Sequence, residues 1–503
     1  MSDGHSPTKV AHHGLITLSV MLATTMQSLD TTIANVALPH IQGSIAATQE
    51  QMTWVLTSYI VAVAIMTPLT GWLSGRFGRK KVFLASIAGF TMASVLCGLA
   101  QSLPQIVLFR LVQGLSGAAL VPLSQAILLD INPPERHARA MSVWVMGVTV
   151  GPILGPALGA WLTDNYSWRW VFYINVPIGL ASFLGLSSFL SETSLRRSAF
   201  DFFGFTTLAI GIGALQLMLD RGQLLDWFSS TEIRIEALTT IIALYLFAVH
   251  SATAREPFVD LRIFKDRNFA TGSAFIVIVG VLLFATLALM PPMLQDLLGY
   301  PVMMAGLLTA PRGLGTLAAM LILGRLLRLL DARGVIAIGL AVTAVSLWQM
   351  CGFYIGMPDR LIAWSGFVQG VGMGLAYVPL ATVTFASLAP RFRTEGTAVF
   401  NLLRNIGSSI GIAAVQALFI RNSQIMHARL AEHVTAYGVN GVSESAGTAA
   451  LAAVNGRVSA QATMIAYNND FKLMLVLSVL AIALVFVFRK PGAARGGAPI
   501  AVE

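Results

Sequence analysis

Apolar segments of about 20 residues recur along almost the whole chain, which is the length that a helix needs to cross a bilayer. No soluble domain could cover this much apolar surface, because 56% of the residues are hydrophobic and only 11% are charged. The sequence therefore predicts an all-α polytopic membrane protein. Fourteen transmembrane spans are predicted, over residues 15–38, 52–73, 82–101, 105–129, 138–162, 168–190, 203–220, 233–252, 269–291, 302–323, 335–356, 360–386, 396–420 and 470–488.

Basic residues are distributed unevenly over the segments that connect these spans. Most of the 32 Lys and Arg residues fall in segments on the same side of the membrane as the N-terminus. Cytoplasmic loops carry the excess of basic residues, so both termini are predicted to be cytoplasmic, which requires an even number of spans. The net charge of +9 then follows from the topology, and no nucleic-acid partner is predicted, because the charge is spread over many loops.

The two halves of the sequence resemble each other when one is shifted by 256 residues. Weak self-similarity at one offset is typical of transporters built from two like halves. The repeat therefore predicts two six-span halves and one inserted pair of spans. The matching segments are Val112-Gln113-Gly114 with Val368-Gln369-Gly370, Gly151 and Gly155 with Gly407 and Gly411, and LSGRFG at 73–78 with LLDARG at 329–334.

The halves are predicted to cover residues 1–190 and 265–490, and the linker at 191–264 contains the inserted pair. The second half includes a long outside segment at 421–469. A loosely ordered loop is the default prediction for a segment of this length, and a folded cap or a partner-docking surface is the alternative. Residues 491–503 are predicted to form a cytoplasmic tail.

Two like halves enclose a cavity that opens to alternate sides of the membrane, which is the geometry of a transporter. The sequence has no G-x-x-x-x-G-K-[ST] phosphate loop, so the energy for transport is expected from an ion gradient or from the gradient of the substrate itself. It also has no metal-ligand cluster and no nucleophile elbow, so no metal site, cofactor or enzymatic activity is predicted. A membrane sensor or scaffold is the competing class, which the two-half plan and a midplane acid argue against.

That acid is Asp30, in the first predicted span. It lies nine residues before Pro39, or about 13 Å inside the outer end of the helix at about 1.5 Å per residue. A carboxylate at this depth is expensive unless it is protonated or paired. We interpret Asp30 as the group that carries the coupling proton, and a structural carboxylate hydrogen-bonded to neighbouring helices is the alternative.

Three arginines also fall within predicted spans. Arg110 lies in the fourth span, where a structural role and a role in ion coupling are equally open. Arg312 and Arg404 lie in spans ten and thirteen and have no counterparts in the first half. Either is a candidate partner of Asp30 or a candidate charge in the cavity.

The fifth predicted span carries glycines at a strict four-residue spacing. One face of this helix is therefore bare backbone, which permits very close helix packing, and Pro152 and Pro156 allow local bending. Packing and gating are favoured over direct contact with the substrate. The glycines are Gly147, Gly151, Gly155 and Gly159.

The loop after the second span reads GWLSGRFGRKK and is predicted to form a cytoplasmic gate. Gly71 and Gly78 permit a tight turn, and Arg76 and Arg79 can pair with acids or with helix C-termini. Anchoring by positive charge alone is the alternative, but it does not explain the spacing of the glycines.

Together these motifs resemble the major facilitator superfamily, and within it the fourteen-span drug:proton antiporters of the EmrB/QacA type. The resemblance rests on LDTTIANVALP, the glycine-rich basic loop, RLVQG, GVTVGPILGPALG and WRWVFYINVPIG, which together cover the first half. It implies a major facilitator fold. It also matches Asp30 to the acid of the first span, Arg110 to the arginine of the fourth span, and Gly151 with Pro152 to the core of the antiporter motif.

The function implied by this resemblance is an inner-membrane pump that exchanges hydrophobic, often cationic drugs or toxic compounds for protons. In a host with two membranes it also implies a periplasmic membrane fusion protein and an outer-membrane channel as partners. A dedicated exporter of an endogenous metabolite and a proton symporter are the alternatives on the same fold.

One position departs from the family pattern. Gly75 stands where the gate loop usually has an acid before RFGRK. Asp130, at the inner end of the fourth span, and Asp331, the repeat counterpart of Gly75, are candidate partners for Arg76 or Arg79.

Overall fold

The structure is a computed structural model that describes residues 13–45, 47–133, 136–192, 199–389, 392–434 and 447–486. Within these ranges the regular secondary structure is helical and includes no strand. Helices suit the bilayer because each one satisfies its own backbone hydrogen bonds. The predicted tail at 491–503 and the first residues of the chain lie outside the described ranges.

The helices of the first half are α1 (His13–Ile45), α2 (Gln49–Met66), α3 (Leu69–Phe77), α4 (Arg79–Leu99), α5 (Leu103–Gly117), α6 (Leu120–Ile131), α7 (His137–Asn165), α8 (Trp170–Tyr173) and α9 (Asn175–Phe189). The inserted pair consists of α10 (Phe202–Arg221) and α11 (Thr231–Thr253). The second half contains α12 (Arg267–Pro292), α13 (Val302–Leu329), α14 (Ala332–Met350), α15 (Asp359–Ala386), α16 (Arg393–Ala431) and α17 (Gly447–Val485).

The number of spans agrees with the all-α prediction. Twelve described helical segments are long and apolar enough to cross a membrane, and the bent pair α2 and α3 raises the number to 13. The remaining predicted span lies in α1, which has 33 residues and is therefore about 50 Å long. The structure is consistent with fourteen spans.

Two predicted spans differ in detail from the helices that contain them. The second span breaks between α2 and α3 with a bend of 58°, because Pro68 lacks the N–H that would continue the helix. The first span was predicted to end at residue 38, but α1 continues through Pro39 to Ile45.

The outside segment predicted at 421–469 is largely helical in its described part. Helix α16 extends to Ala431, and α17 already begins at Gly447. The two extensions contact each other through His427 Nε2 and Asn455 Oδ1, which are 3.0 Å apart. Residues 435–446 lie outside the described ranges.

Packing within each half is extensive, and a few helices join the halves. Helix α7 packs on α13 and α15, while α16 packs on α3 and α6. The inserted helix α10 contacts both halves, because Thr57 of α2 donates to Asp220 and Ser409 of α16 donates to Gln216 Oε1 at 2.8 Å. Helix α10 thus lies across the boundary between α2 and α16.

Candidate functional site

The predicted acid lies at the centre of a buried hydrogen-bond cluster. Asp30 is 1% exposed. Its Oδ2 accepts a hydrogen bond from Nη1 of Arg110 at 2.7 Å, and its Oδ1 accepts from Nε2 of Gln113 and Nδ2 of Asn175, each at 2.8 Å. Helices α1, α5 and α9 therefore meet at one carboxylate inside the first half.

The guanidinium of Arg110 is held equally firmly. It is 1% exposed and also donates from Nη1 to Gln113 Oε1 at 2.8 Å and from Nε to the carbonyl of Val55 at 3.3 Å. Its CZ atom lies 4.4 Å from the ring centroid of Tyr59, within the range of a cation–π contact. Because both charges are buried, removing either one leaves the other uncompensated, at a cost of about 3–5 kcal/mol.

This pairing rules out one of the two alternatives left open for Arg312 and Arg404, that of partner of Asp30. Both residues lie in the second half. Nη2 of Arg312 donates to the carbonyl of Leu283 at 2.8 Å, and Nη1 of Arg404 lies 3.4 Å from the hydroxyl of Tyr377. Sequence reasoning missed Arg110 as the partner because the depth of a residue within a helix does not show which way its side chain points.

The internal repeat recurs in the geometry of this cluster. Gln369 Nε2 donates to Thr286 Oγ1 at 3.0 Å, and these residues are the repeat counterparts of Gln113 and Asp30. In each half, therefore, a glutamine at the equivalent position joins the equivalent pair of helices, which is α5 with α1 in the first half and α15 with α12 in the second. Only the first half has an acid at the accepting position.

The predicted glycine face of α7 packs against α1. All four glycines are buried. A Cβ on Gly151 would lie 2.6 Å from the carbonyl carbon of Ser28, and one on Gly155 would lie 2.2 Å from Oγ1 of Thr32. Hydroxyl groups of α1 also bond to α7, since Ser28 Oγ donates to the carbonyl of Val148 at 2.9 Å. That carbonyl lacks a helical donor because Pro152 has no N–H.

The opposite side of α7 faces the second half. A Cβ on Gly313 of α13 would lie 2.0 Å from Cγ1 of Ile153, and one on Gly306 would lie 3.2 Å from Cβ of Pro156. Helix α7 thus connects α1, which carries Asp30, to α13 of the other half.

A Gly151→Ala substitution should destabilise the protein by about 1–3 kcal/mol, because its new methyl group meets backbone atoms that cannot move independently. The matched control is Gly147→Ala, whose methyl group meets chiefly the side chain of Met21, with the flexible Cε nearest at 2.8 Å. Thermal unfolding of the purified variants in detergent measures the difference. Equal losses in the two variants would contradict this account of the packing.

The predicted gate loop reaches an acid at the end of α6. Arg79 Nη1 donates to Asp130 Oδ2, and Arg393 Nη1 of α16 donates to Asp130 Oδ1 at 2.8 Å. Asp130 is therefore a partner of Arg79, which is one of the candidate pairings from the sequence, and it also links the two halves. We call the membrane face that contains these residues the gate face.

The other predicted gate residues occupy the same face. A Cβ on Gly71 would lie 3.3 Å from Cα of Glu395 in α16, so this glycine allows the halves to approach closely. Gly78 adopts a φ of 93°, which L side chains rarely adopt, at the turn between α3 and α4. Arg76 is exposed, and Asp331 directly precedes α14.

A second polar link joins the halves deeper in the protein. Asn401 Nδ2 of α16 donates to Gln125 Oε1 of α6 at 2.6 Å, and Gln125 Nε2 lies 3.3 Å from the hydroxyl of Tyr377. All three side chains are buried. Together with the pairing of Arg393 to Asp130, these contacts join the two halves on the gate side of the protein.

Several of these residues were missed by sequence reasoning. Asn175 is a polar residue within the largely apolar stretch WRWVFYINVPIG, and this contrast could have marked it as a candidate hydrogen-bond partner inside the membrane. Arg393 gave none, because an arginine at the start of a span looks like any other basic residue of a cytoplasmic loop. Among the described residues, no group of His, Cys, Asp and Glu side chains could hold a metal ion.

Comparisons with known proteins agree with this architecture. A family model described as Major Facilitator Superfamily matches residues 20–412. The chain is 37% identical over 506 residues to the fatty acid resistance protein FarB of Neisseria gonorrhoeae, covering 98% of this chain and 99% of that protein. It is 38% identical over 505 residues to the multidrug export protein EmrB of Escherichia coli K12, covering 98% of each.

Solved structures agree on the fold. The proton:xylose symporter XylE superposes with a TM-score of 0.61 at 15% identity, over 93% of this chain and 95% of that one. A bacterial homologue of the lysosomal transporter Spinster superposes with a TM-score of 0.57 at 17% identity, over 96% and 98% of the two chains. At these identities the likeness concerns the fold alone.

Proposed function

Because the chain belongs to the major facilitator superfamily, we propose that it is a proton-coupled antiporter that exports hydrophobic, often cationic compounds across the inner membrane by alternating access. The multidrug export protein EmrB, which it matches over nearly its full length, supports multidrug efflux. The observation that carries proton coupling is the buried pair of Asp30 and Arg110. An ionisable pair within the membrane is costly, and such residues commonly form ion pathways.

The coupling step follows from the contacts of Asp30. A proton on this carboxyl removes the negative charge that Arg110, Gln113 and Asn175 hold in place, so α1 is held less firmly against α5 and α9. Helix α1 also contacts the glycine face of α7, and α7 contacts α13. A change in the charge of Asp30 is therefore transmitted to the boundary between the halves.

The gate face supplies the second part of the cycle. We assign it to the cytoplasm, with both termini on that side, because the basic loops lie there. The links of Asp130 and Gln125 to the second half hold this side closed. Breaking these links opens the cavity to the cytoplasm, where substrate enters.

Two arginines favour amphipathic anions as a second class of substrate. Among the described residues, Arg312 and Arg404 form no salt bridge with a carboxylate, although both lie within spans of the second half. Both side chains are half-buried, and a guanidinium within the membrane that lacks a counterion attracts a carboxylate or another anion. A relative of this chain is named a fatty acid resistance protein, which agrees with this chemistry.

Reconstitution of the full chain in proteoliposomes tests the proposal. With an imposed pH gradient, addition of a lipophilic dye cation should release protons in exchange for the dye. Addition of a long-chain fatty acid tests the anionic class in the same vesicles, with protein-free liposomes as the control for passive flip of the acid. Proton flux that is unchanged by every substrate would contradict antiport.

We also propose that, in a host with two membranes, a periplasmic membrane fusion protein and an outer-membrane channel act with this chain. The helical extensions around His427 and Asn455 offer a structured surface for such a contact. Co-purification of the adaptor from detergent extracts, lost when these extensions are removed, would support this assembly, and unchanged co-purification would refute the docking site.

A further inference from the structure

A second buried carboxyl, that of Asp470, lies in α17, and its hydrogen bonding contrasts with that of Asp30. Asp470 is 1% exposed, and neither its Oδ1 nor its Oδ2 has a hydrogen-bond partner within the described part of the chain. Asp30, by contrast, accepts from three donors. A bare carboxylate in such a site is very expensive, whereas a carboxyl that binds a proton carries no net charge.

The position of Asp470 along α17 places it inside the membrane. It lies 15 residues before Val485, which corresponds to about 22 Å of helix within a hydrocarbon core about 30 Å thick. Asp470 is therefore closer to the face opposite the gate than to the gate face.

The neighbours of Asp470 connect it to the repeat counterpart of the Asp30 cluster. Met474, one turn further along α17, accepts from Thr286 Oγ1 at 3.5 Å, and Thr286 in turn accepts from Gln369. Measured along α17, Asp470 thus lies about one helical turn, or roughly 6 Å, from the level of Thr286. Thr286 is the repeat counterpart of Asp30.

Titratable groups lead from Asp470 toward the opposite face. Tyr467, one turn earlier in α17, interacts electrostatically with both Asp470 and Asp296. Asp296 follows α12 and is exposed. The charged group of Lys472, also in α17, interacts electrostatically with Cys351 at the end of α14. From α16, Phe419 contacts the ring of Tyr467 with centroids 4.4 Å apart and contributes no charge.

We propose that Asp470 is a second proton-binding carboxyl, protonated while the gate face is closed and reached from the opposite face past Asp296 and Tyr467. The proton binds a carboxylate oxygen of Asp470 and is released toward the gate face when the halves rearrange. This inference rests on the proposed proton coupling and adds a second proton to each cycle, one on Asp30 and one on Asp470.

Infrared spectroscopy of the purified full chain tests the protonation directly, without transport. At neutral pH, the wild-type spectrum should contain a carbonyl band of a protonated carboxyl that disappears in Asp470→Asn. The Asp470→Glu variant retains the carboxyl if the asparagine variant does not fold, and it should shift the same band. A spectrum in which neither substitution changes a protonated-carboxyl band overturns the proposal.

The ratio of protons to substrate tests the role in coupling. The substrate gradient that just balances an imposed pH gradient gives this ratio in proteoliposomes. Asp470→Asn should lower it by one proton per substrate. An unchanged ratio in the folded variant refutes the second site alone, whereas a wild-type protein without any coupled flux refutes the antiport mechanism and leaves the infrared result to decide the protonation of Asp470.

Discussion

Replacing Asp30 by Asn should reduce substrate-dependent proton exchange at least about tenfold, which corresponds to about 1.4 kcal/mol in the coupling step. Asparagine has nearly the same shape and can still accept hydrogen bonds from Gln113 and Asn175, but it cannot alternate between a charged and a neutral form. Proton release on addition of a lipophilic dye cation, followed in proteoliposomes with an imposed pH gradient, measures this loss.

The stability of this variant needs its own control, because Arg110 loses its counterion. A buried charge left in this way costs about 3–5 kcal/mol. The double variant Asp30→Asn with Arg110→Gln removes both charges and should unfold at a higher temperature than the single variant, while remaining uncoupled. Full exchange in a folded Asp30→Asn protein would return the acid to a structural role.

A matched acid elsewhere in the first half gives the second control. Asp164 lies near the end of α7, and its Oδ1 is 3.9 Å from Nε2 of His40. The side chain of Asp164 is 67% exposed. Asp164→Asn removes the same charge from a solvated site and should leave the coupled exchange unchanged. If both variants lost exchange equally, the effect could not be assigned to the buried site.

Sequence reasoning reached the fold and the principal acid because both depend on local composition. The apolar segments, the inserted pair and the exceptional position of Asp30 are all visible along the chain. The repeat also identified Gln113 and Gln369 as counterparts, and in the structure the two glutamines donate to Asp30 and Thr286. Patterns at a fixed spacing were sufficient for these features.

The partners of these residues depend on how helices rotate and pack, which spacing does not determine. Arg110 and Arg312 both lie within spans, and only the fold places the first beside Asp30 and the second beside the carbonyl of Leu283. Asp470 is the first residue of the span predicted at 470–488, which places it at the membrane boundary, whereas α17 begins at Gly447 and Asp470 is buried within it. The unexpected helix length therefore changed the environment assigned to this side chain.

The second large effect is expected at the gate face. Asp130→Asn should weaken the contacts of Arg79 and Arg393 together and shift the protein toward conformations open at this face. Only the pair of Asp130 with Arg393 joins the halves, and one partly buried ion pair at the upper end of the surface range contributes about 1 kcal/mol, so the ratio of open to closed molecules should rise about fivefold. Spin labels at the exposed positions 77 in α3 and 329 in α13, one in each half, should then show a larger population of long distances.

The single arginine variants separate the two contacts of Asp130. Arg79 and Asp130 both belong to the first half, whereas Arg393 belongs to the second. Arg393→Gln should therefore reproduce most of the shift produced by Asp130→Asn, and Arg79→Gln should produce less of it. Combining Asp130→Asn with Arg393→Gln should add little, because both changes remove the same link. If Arg79→Gln opened the gate face as far as Arg393→Gln, Asp130 would control the gate through the fold of its own half rather than by joining the two halves.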